Sequence, residues 1–220
     1  MSRYNNTPKI GTRYGYPLLL TLLIVLLGGC ASSGPAKEDS YYRLGLGTPP
    51  QAVKYRYPGT VLVSKFDGRG FTTDRSIIFR DDSGQERIQR YTYHRWAESP
   101  GITIQDLLAD FLRDAGIADF VVVPAQRVLA NLIVTGTLYR FEHHPYEDPP
   151  KVLIDMELAV VRTDRRQPLF LKRYRVETKA TDRKVGSAIP AFDQALSRIF
   201  QDFLVDVEAA VVELDTALKQ

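Results

Sequence analysis

The stretch that decides the fold class is Val152-Leu-Ile-Asp-Met-Glu-Leu-Ala-Val-Val161. In it Asp155 and Glu157 alternate with apolar neighbours, and a period of two places polar and apolar side chains on opposite faces of an extended chain. This pattern predicts a half-buried strand of an antiparallel sheet. A turn at residues 163–167 leads to a second apolar stretch at residues 169–176, which is also predicted to be a strand.

Outward from this stretch, the chain alternates between runs of strands and single helices. The other predicted strands cover residues 41–46, 59–66, 75–80, 87–96, 119–123 and 131–141. Apolar residues three and four apart predict a helix at 103–115, ended by Gly116, and a second helix of about 30 residues that begins near Ser187 with Pro190 in its first turn. The order predicts an α+β fold with a mainly antiparallel sheet and two helices packed on one face, the C-terminal helix long.

The first 30 residues have the composition of a secretion signal. Arg3, Lys9 and Arg13 precede residues 18–27, ten positions of which nine are apolar. This run is too short to span a bilayer, which needs about 20 apolar residues, but it suits the hydrophobic region of a signal peptide. Two glycines and the only cysteine, Cys30, follow it.

The tetrad Leu27-Gly-Gly-Cys30 resembles the lipobox of bacterial lipoproteins. The resemblance implies a diacylglyceryl group on the Cys30 sulfur, cleavage before Cys30, and an N-acyl lipid on the new amino terminus. We therefore predict a signal peptide at 1–29, a lipidated flexible linker at 30–40, and a single periplasmic α+β domain at 41–220. Ala31, in place of the aspartate that often signals inner-membrane retention in this class, favours the outer membrane. The alternative is an ordinary leader with an incidental cysteine.

The charge balance argues against nucleic-acid binding. The chain has 29 basic and 26 acidic residues, but three of the basic residues lie in the predicted signal, so the mature chain is formally neutral. Because the only cysteine is predicted to carry lipid, no disulfide can form. Stability must come from an apolar core.

Histidines and acids are the residues that catalysis or a metal would use. His143 and His144 stand beside Glu142 and Glu147, but adjacent histidines in an extended chain point opposite ways, and no His-x-x-x-His or cysteine pair accompanies them. We predict a solvated loop at 142–150 and no metal site, and we expect His94 to be structural. The sequence also lacks a Gly-x-Ser-x-Gly elbow. We therefore predict no enzyme activity, and no cofactor beyond the covalent lipid at Cys30.

The hairpin predicted at residues 75–96 carries the candidate interface residues Arg75, Tyr91, Tyr93 and Trp96. Tryptophan and arginine are frequent anchors of interfaces, so these four are candidates for contact with a partner or lipid. Period-two spacing predicts Tyr91 and Tyr93 on one face, and His94 and Trp96 on the other. The alternative for Trp96 is a core position beneath the first helix. The apolar stripe of the terminal helix is likewise predicted to be core first, and a partner or lipid groove second.

Four short motifs rich in aromatic residues and arginine lie along the chain, and each is less specific than a catalytic signature. They are Tyr41-Tyr-Arg-Leu44, Asp74-Arg-Ser-Ile-Ile-Phe-Arg80, Tyr91-x-Tyr93-x-Arg95-Trp-Ala97 and Gly136-Thr-Leu-Tyr-Arg-Phe141. With Cys30, they resemble the auxiliary lipoprotein family of ABC-type transport systems, found with MCE-domain substrate-binding proteins in Gram-negative bacteria.

This resemblance implies a non-enzymatic lipoprotein, anchored in the outer membrane and facing the periplasm. Such a component would dock an MCE-domain carrier to that membrane, in the transport of phospholipid or other hydrophobic compounds. The alternative is a periplasmic lipid-binding module that itself holds acyl chains. Self-association into a homo-oligomer is a further possibility. Nucleic acid is not an expected partner.

Overall fold

A curled β-sheet and two helices make up the fold. The computed structural model describes residues 37–81, 87–165 and 168–218, so the predicted signal, Cys30 and most of the predicted linker lie outside the described residues. Residues from Asp39 onward form one compact unit. Its strands are β1 (Ser40–Tyr42), β2 (Tyr57–Val63), β3 (Asp67–Gly68), β4 (Ser76–Arg80), β5 (Ile88–Trp96), β6 (Ala118–Val122), β7 (Leu132–His144), β8 (Lys151–Arg162) and β9 (Pro168–Lys179), and its helices are α1 (Pro100–Ala115) and α2 (Val185–Leu218).

The sheet is arranged around β7. One edge of β7 pairs in parallel with β2, β3 and β4 in succession, and its other edge pairs antiparallel with β8 along its whole length. β9 pairs antiparallel with β8, and β5 pairs antiparallel with β4. The short strands β1 and β6 add in parallel to β5 and β2.

The sheet is therefore mixed, and the prediction of a mainly antiparallel sheet is wrong. Alternating hydrophobicity determines which face of a strand is buried, but it does not determine the direction of the neighbouring strand. Strands joined by a short turn pair antiparallel as expected, whereas β2 and β4 reach β7 only after a long excursion through α1 and β6. The α+β class and the long C-terminal helix are confirmed.

Both helices begin earlier than predicted. Ser99 precedes α1 in extended conformation and Pro100 is its first residue, a position where the fixed φ of proline suits a helix and its missing N–H costs nothing. Gly116 ends α1 in the left-handed conformation with φ 72°, as predicted. The second helix, α2, has 34 residues and is about 50 Å long. Pro190 lies inside it, beyond the first turn.

The two helices and the inner face of the sheet share one hydrophobic core. The ring of Trp96 lies 5.4 Å from both Phe141 and Phe192, which stack on each other at 4.5 Å. Phe111 of α1 meets Phe200 of α2 at 5.6 Å, so the helices contact each other over the sheet. Each buried aromatic side chain contributes about 2–3 kcal/mol.

Candidate functional site

The four predicted interface residues differ in exposure. Trp96 is 2% exposed and packs against Phe192 of the C-terminal helix. Arg75 donates a hydrogen bond from Nε to the Trp96 carbonyl oxygen at 3.0 Å, and its guanidinium lies 5.3 Å from the centre of the Tyr41 ring. Tyr93 is 38% exposed. The indole thus fills the core, while the interface role of Tyr93 and Arg75 stays a prediction.

The β4–β5 pairing is irregular, and this changes which side chains of β5 meet. The register shifts between Ser76 and Ile78. As a result the rings of Tyr91 and His94, predicted on opposite faces, are in edge contact with centroids 5.8 Å apart. A bulge of this kind re-aims side chains and cannot be recognised from the alternation alone.

His143 and His144 are both buried, so the prediction that they lie in a solvated loop is wrong. Their exposed fractions are 0% and 2%, and β7 continues through both of them. They make their contacts with different groups, Tyr91 for His143 and two glutamates for His144, in keeping with the opposite directions expected in an extended chain. Protein partners replace water around these polar groups, which a hydropathy pattern does not reveal.

His144 belongs to a largely buried polar network on β7, the loop after it and the start of β8. Its Nε2 is 3.1 Å from Glu142 Oε2 and its Nδ1 is 2.7 Å from Glu147 Oε1. Arg140 donates to both oxygens of Glu142, at 3.0 and 2.7 Å, and Lys151 pairs with Glu147 at 2.6 Å. Burial raises the pKa of Glu142, but the hydrogen bonds from His144 and Arg140 outweigh it and lower that pKa to about 2.

The histidine and carboxylate groups of this network are engaged with one another and with Arg140 and Lys151. Within the described ranges, no group of three or more His, Cys, Asp or Glu side chains is placed to hold a metal ion.

A second cluster, here called the tyrosine–histidine cluster, contains Tyr42, Tyr91, His94 and His143. The Tyr42 hydroxyl is 2.9 Å from His94 Nδ1, and the Tyr91 hydroxyl is 2.9 Å from His143 Nδ1. His143 Nε2 is buried and has no hydrogen-bond partner among the described residues. Burial, helped by the nearby His144, lowers the pKa of His143 to about 4, so its imidazole is neutral at neutral pH. Burial raises the pKa of the Tyr91 hydroxyl, which therefore stays protonated.

An open groove of about 500 Å³ lies beside this cluster, where α2 begins; we call it the helix-start groove. Asp182 stands just before the helix and accepts a hydrogen bond from the Lys184 backbone N–H at 2.7 Å. The groove has an aromatic wall from the sheet and a basic wall from the chain entering α2. Its lining residues are Tyr42, Tyr91, His94, Arg183, Lys184, Val185, Gly186 and Ser187.

Comparison with known families gives the identity of this fold. Residues 42–203 match the model of the ABC-type transport auxiliary lipoprotein component. The chain belongs to this family. The matched range runs from Tyr42, the last residue of β1, to Phe203 of α2, so it includes strands β2 to β9 and the helix-start groove. The family's description is that of a transport component and not of an enzyme.

Two solved structures share the fold of this auxiliary lipoprotein. Protein XCC0632 from Xanthomonas campestris is 14% identical, with a TM-score of 0.70 over 80% of this chain and 99% of that one. A crystal structure of an uncharacterised protein is also 14% identical, with a TM-score of 0.60 over 78% of this chain and 99% of that one. A search of curated proteins finds no match.

No helix in the part of the chain that the structure describes is long and apolar enough to cross a membrane.

Sequence reasoning missed the helix-start groove. The sequence of residues 178–186 indicates only a charged loop. Its two adjacent basic residues, Arg183 and Lys184, were the only feature that indicated a possible anion site. The aromatic wall could not be found, because it depends on the bulge in β5 and on the long-range pairing of β4 with β7.

Proposed function

We propose that this auxiliary lipoprotein is a non-enzymatic component that docks the MCE-domain carrier of an ABC transport system to the outer membrane. The cargo would be phospholipid or another hydrophobic compound. The family match over residues 42–203 is the observation that carries the proposal, and the lipobox-like tetrad at residues 27–30 supports the membrane attachment.

A lipid anchor would allow this protein to contribute to transport without catalysing a reaction. Two or more acyl chains at Cys30 hold a protein on a bilayer, whereas one chain binds reversibly. A tethered domain meets other molecules at that membrane at a raised effective concentration. The sheet and the long helix then offer the docking surface, with Arg75 and Tyr93 as the accessible members of the predicted interface.

Co-purification of the neighbouring MCE-domain protein tests the proposal. The full-length tagged lipoprotein is purified from membranes that retain both proteins, and we expect the MCE-domain protein to accompany it. A Tyr93→Ala variant should weaken the association several-fold, while Tyr146→Ala, a matched change at another exposed tyrosine, should not. Absence of association in such membranes would count heavily against docking.

The second candidate is a module that holds lipid itself, and the helix-start groove is the observation that favours it. Native mass spectrometry of the protein purified in detergent should then show a copurifying lipid in addition to the covalent one at Cys30. Its absence argues for docking without storage.

A further inference from the structure

We infer that the helix-start groove is a binding site for a phosphate group, carried by a phospholipid headgroup or free in solution. This inference does not depend on docking to an MCE-domain carrier.

The basic wall of the groove provides two cations, Arg183 and Lys184. Among the described residues, no carboxylate lies at ion-pair distance from the side chain of Arg183 or Lys184. Many other basic residues are committed: Arg140, Arg162 and Arg173 each pair with a carboxylate. Arginine and lysine are the side chains that bind phosphate, the first through a planar fork and the second as a point charge.

The local charge suits an anion with one negative charge. Asp182 directly precedes the basic wall in the chain, and hydrogen bonds from the Lys184 backbone and the Ser187 side chain hold the pKa of its carboxyl below the usual range. The Asp182 carboxylate therefore accepts hydrogen bonds from the first residues around the start of α2. The proposed ligand would bind to the two basic side chains and not to the helix terminus. Two cations with one carboxylate leave a net charge near +1, which a phosphodiester would neutralise.

The aromatic wall accepts the carbon part of such a ligand. The hydroxyls of Tyr42 and Tyr91 are held by His94 and His143, so their rings have a defined position beside the groove. Because the pKa of Tyr91 is raised, this wall adds no negative charge that would repel phosphate. Val185 and the bare backbone of Gly186 leave room between the two walls.

The groove also lies near the predicted anchor in sequence. Tyr42 follows Cys30 by twelve residues, a chain that spans at most about 40 Å when extended. A membrane-tethered molecule would therefore hold this groove within reach of lipid headgroups, the most concentrated phosphate in that setting.

Titration of the full-length lipidated protein in maltoside micelles tests the inference. Two probes are used, dihexanoyl-phosphatidylglycerol below its critical micelle concentration and inorganic phosphate, with calorimetric detection. The variant Arg183→Gln/Lys184→Gln removes the basic wall. The control Lys65→Gln/Arg198→Gln removes the same charge from two exposed positions outside the groove. We expect the groove variant to weaken binding roughly tenfold or more, and the control to change it less than about twofold.

The two probes distinguish the source of the phosphate. Tighter binding of phosphatidylglycerol assigns the groove to a headgroup, and equal binding assigns it to the phosphate group alone. Hydrogen exchange on the unmutated protein provides a second readout, since the bound probe should protect the amides of residues 183–187. Absence of saturable binding for both probes, or an equal loss in the control variant, overturns the inference.

Discussion

At the scale of single residues, His143 is the side chain most sensitive to its surroundings. Its imidazole is fully buried, one nitrogen contacts the Tyr91 hydroxyl, and the other has no partner among the described residues. An unsatisfied buried polar atom costs about 1–3 kcal/mol, and a buried charge would cost more. The fold therefore favours the neutral form of the His143 imidazole over the protonated form.

We predict that His143 makes the protein lose stability in mild acid. The unfolded imidazole takes up a proton below its ordinary pKa of 6.5, but the folded one does so only near 4, so stability falls as the pH drops from 6.5 to 4. The loss should reach roughly 2–3 kcal/mol. Urea unfolding at intervals across this range measures it.

His143→Gln is the variant that isolates this effect. Glutamine keeps a hydrogen-bonding group for Tyr91 but does not titrate, so the decline between pH 6.5 and 4 should flatten. The decline at lower pH should persist, because Glu142, with its pKa lowered to about 2, contributes stability that is lost as the pH falls from 4.5 towards 2. An unchanged slope above pH 4 would assign the effect to other groups.

At the scale of elements, β7 is constrained by its contact with the loop after β2. A Cβ atom built on Gly136 would lie 2.0 Å from Phe66 Cε1, and Phe66 is buried. Alanine cannot fit there unless the ring moves. The glycine is therefore needed for close packing and not for an unusual backbone angle.

We predict that Gly136→Ala destabilises the protein by about 1–3 kcal/mol, through overpacking. In a Phe66→Leu background, Gly136→Ala should cost less stability than it does in the unmutated protein, because the smaller side chain makes room for the methyl group. Gly186→Ala is the control, since nothing lies within 4 Å of its added Cβ and alanine favours a helix. If the effects of Gly136→Ala and Phe66→Leu on the free energy of unfolding are additive in chemical denaturation, there is no direct clash between the two positions.

The elements also show how far the sequence determines the structure. Strand and helix positions follow from local period, so β2, β4, β5 and β8 lie close to their predicted places. The relative direction of paired strands does not follow from the local period, because the paired strands lie some 70 residues apart along the chain. The burial of His143 was missed for a related reason: its partner Tyr91 lies 52 residues away along the chain and meets it only once the sheet has formed.

At the scale of the whole molecule, the prediction to test is the lipid at Cys30, which would hold the protein at a membrane. We predict that Cys30→Ser leaves the fold intact and abolishes fractionation with membranes, because serine cannot accept the thioether-linked lipid. Carbonate-washed membranes and intact-mass measurement check both outcomes, and the circular dichroism spectrum serves as the control for folding. An unprocessed precursor that stays attached to the membrane would mean that the leader, and not lipid, is the anchor.

The position of β7 has a further consequence for the order of folding. A chain synthesised from its amino end presents β2, β3 and β4 before their common partner, which is complete only at residue 144. Until then these segments have open edges that could pair with other chains. The sheet topology thus makes the arrival of β7 the step that closes these edges during folding.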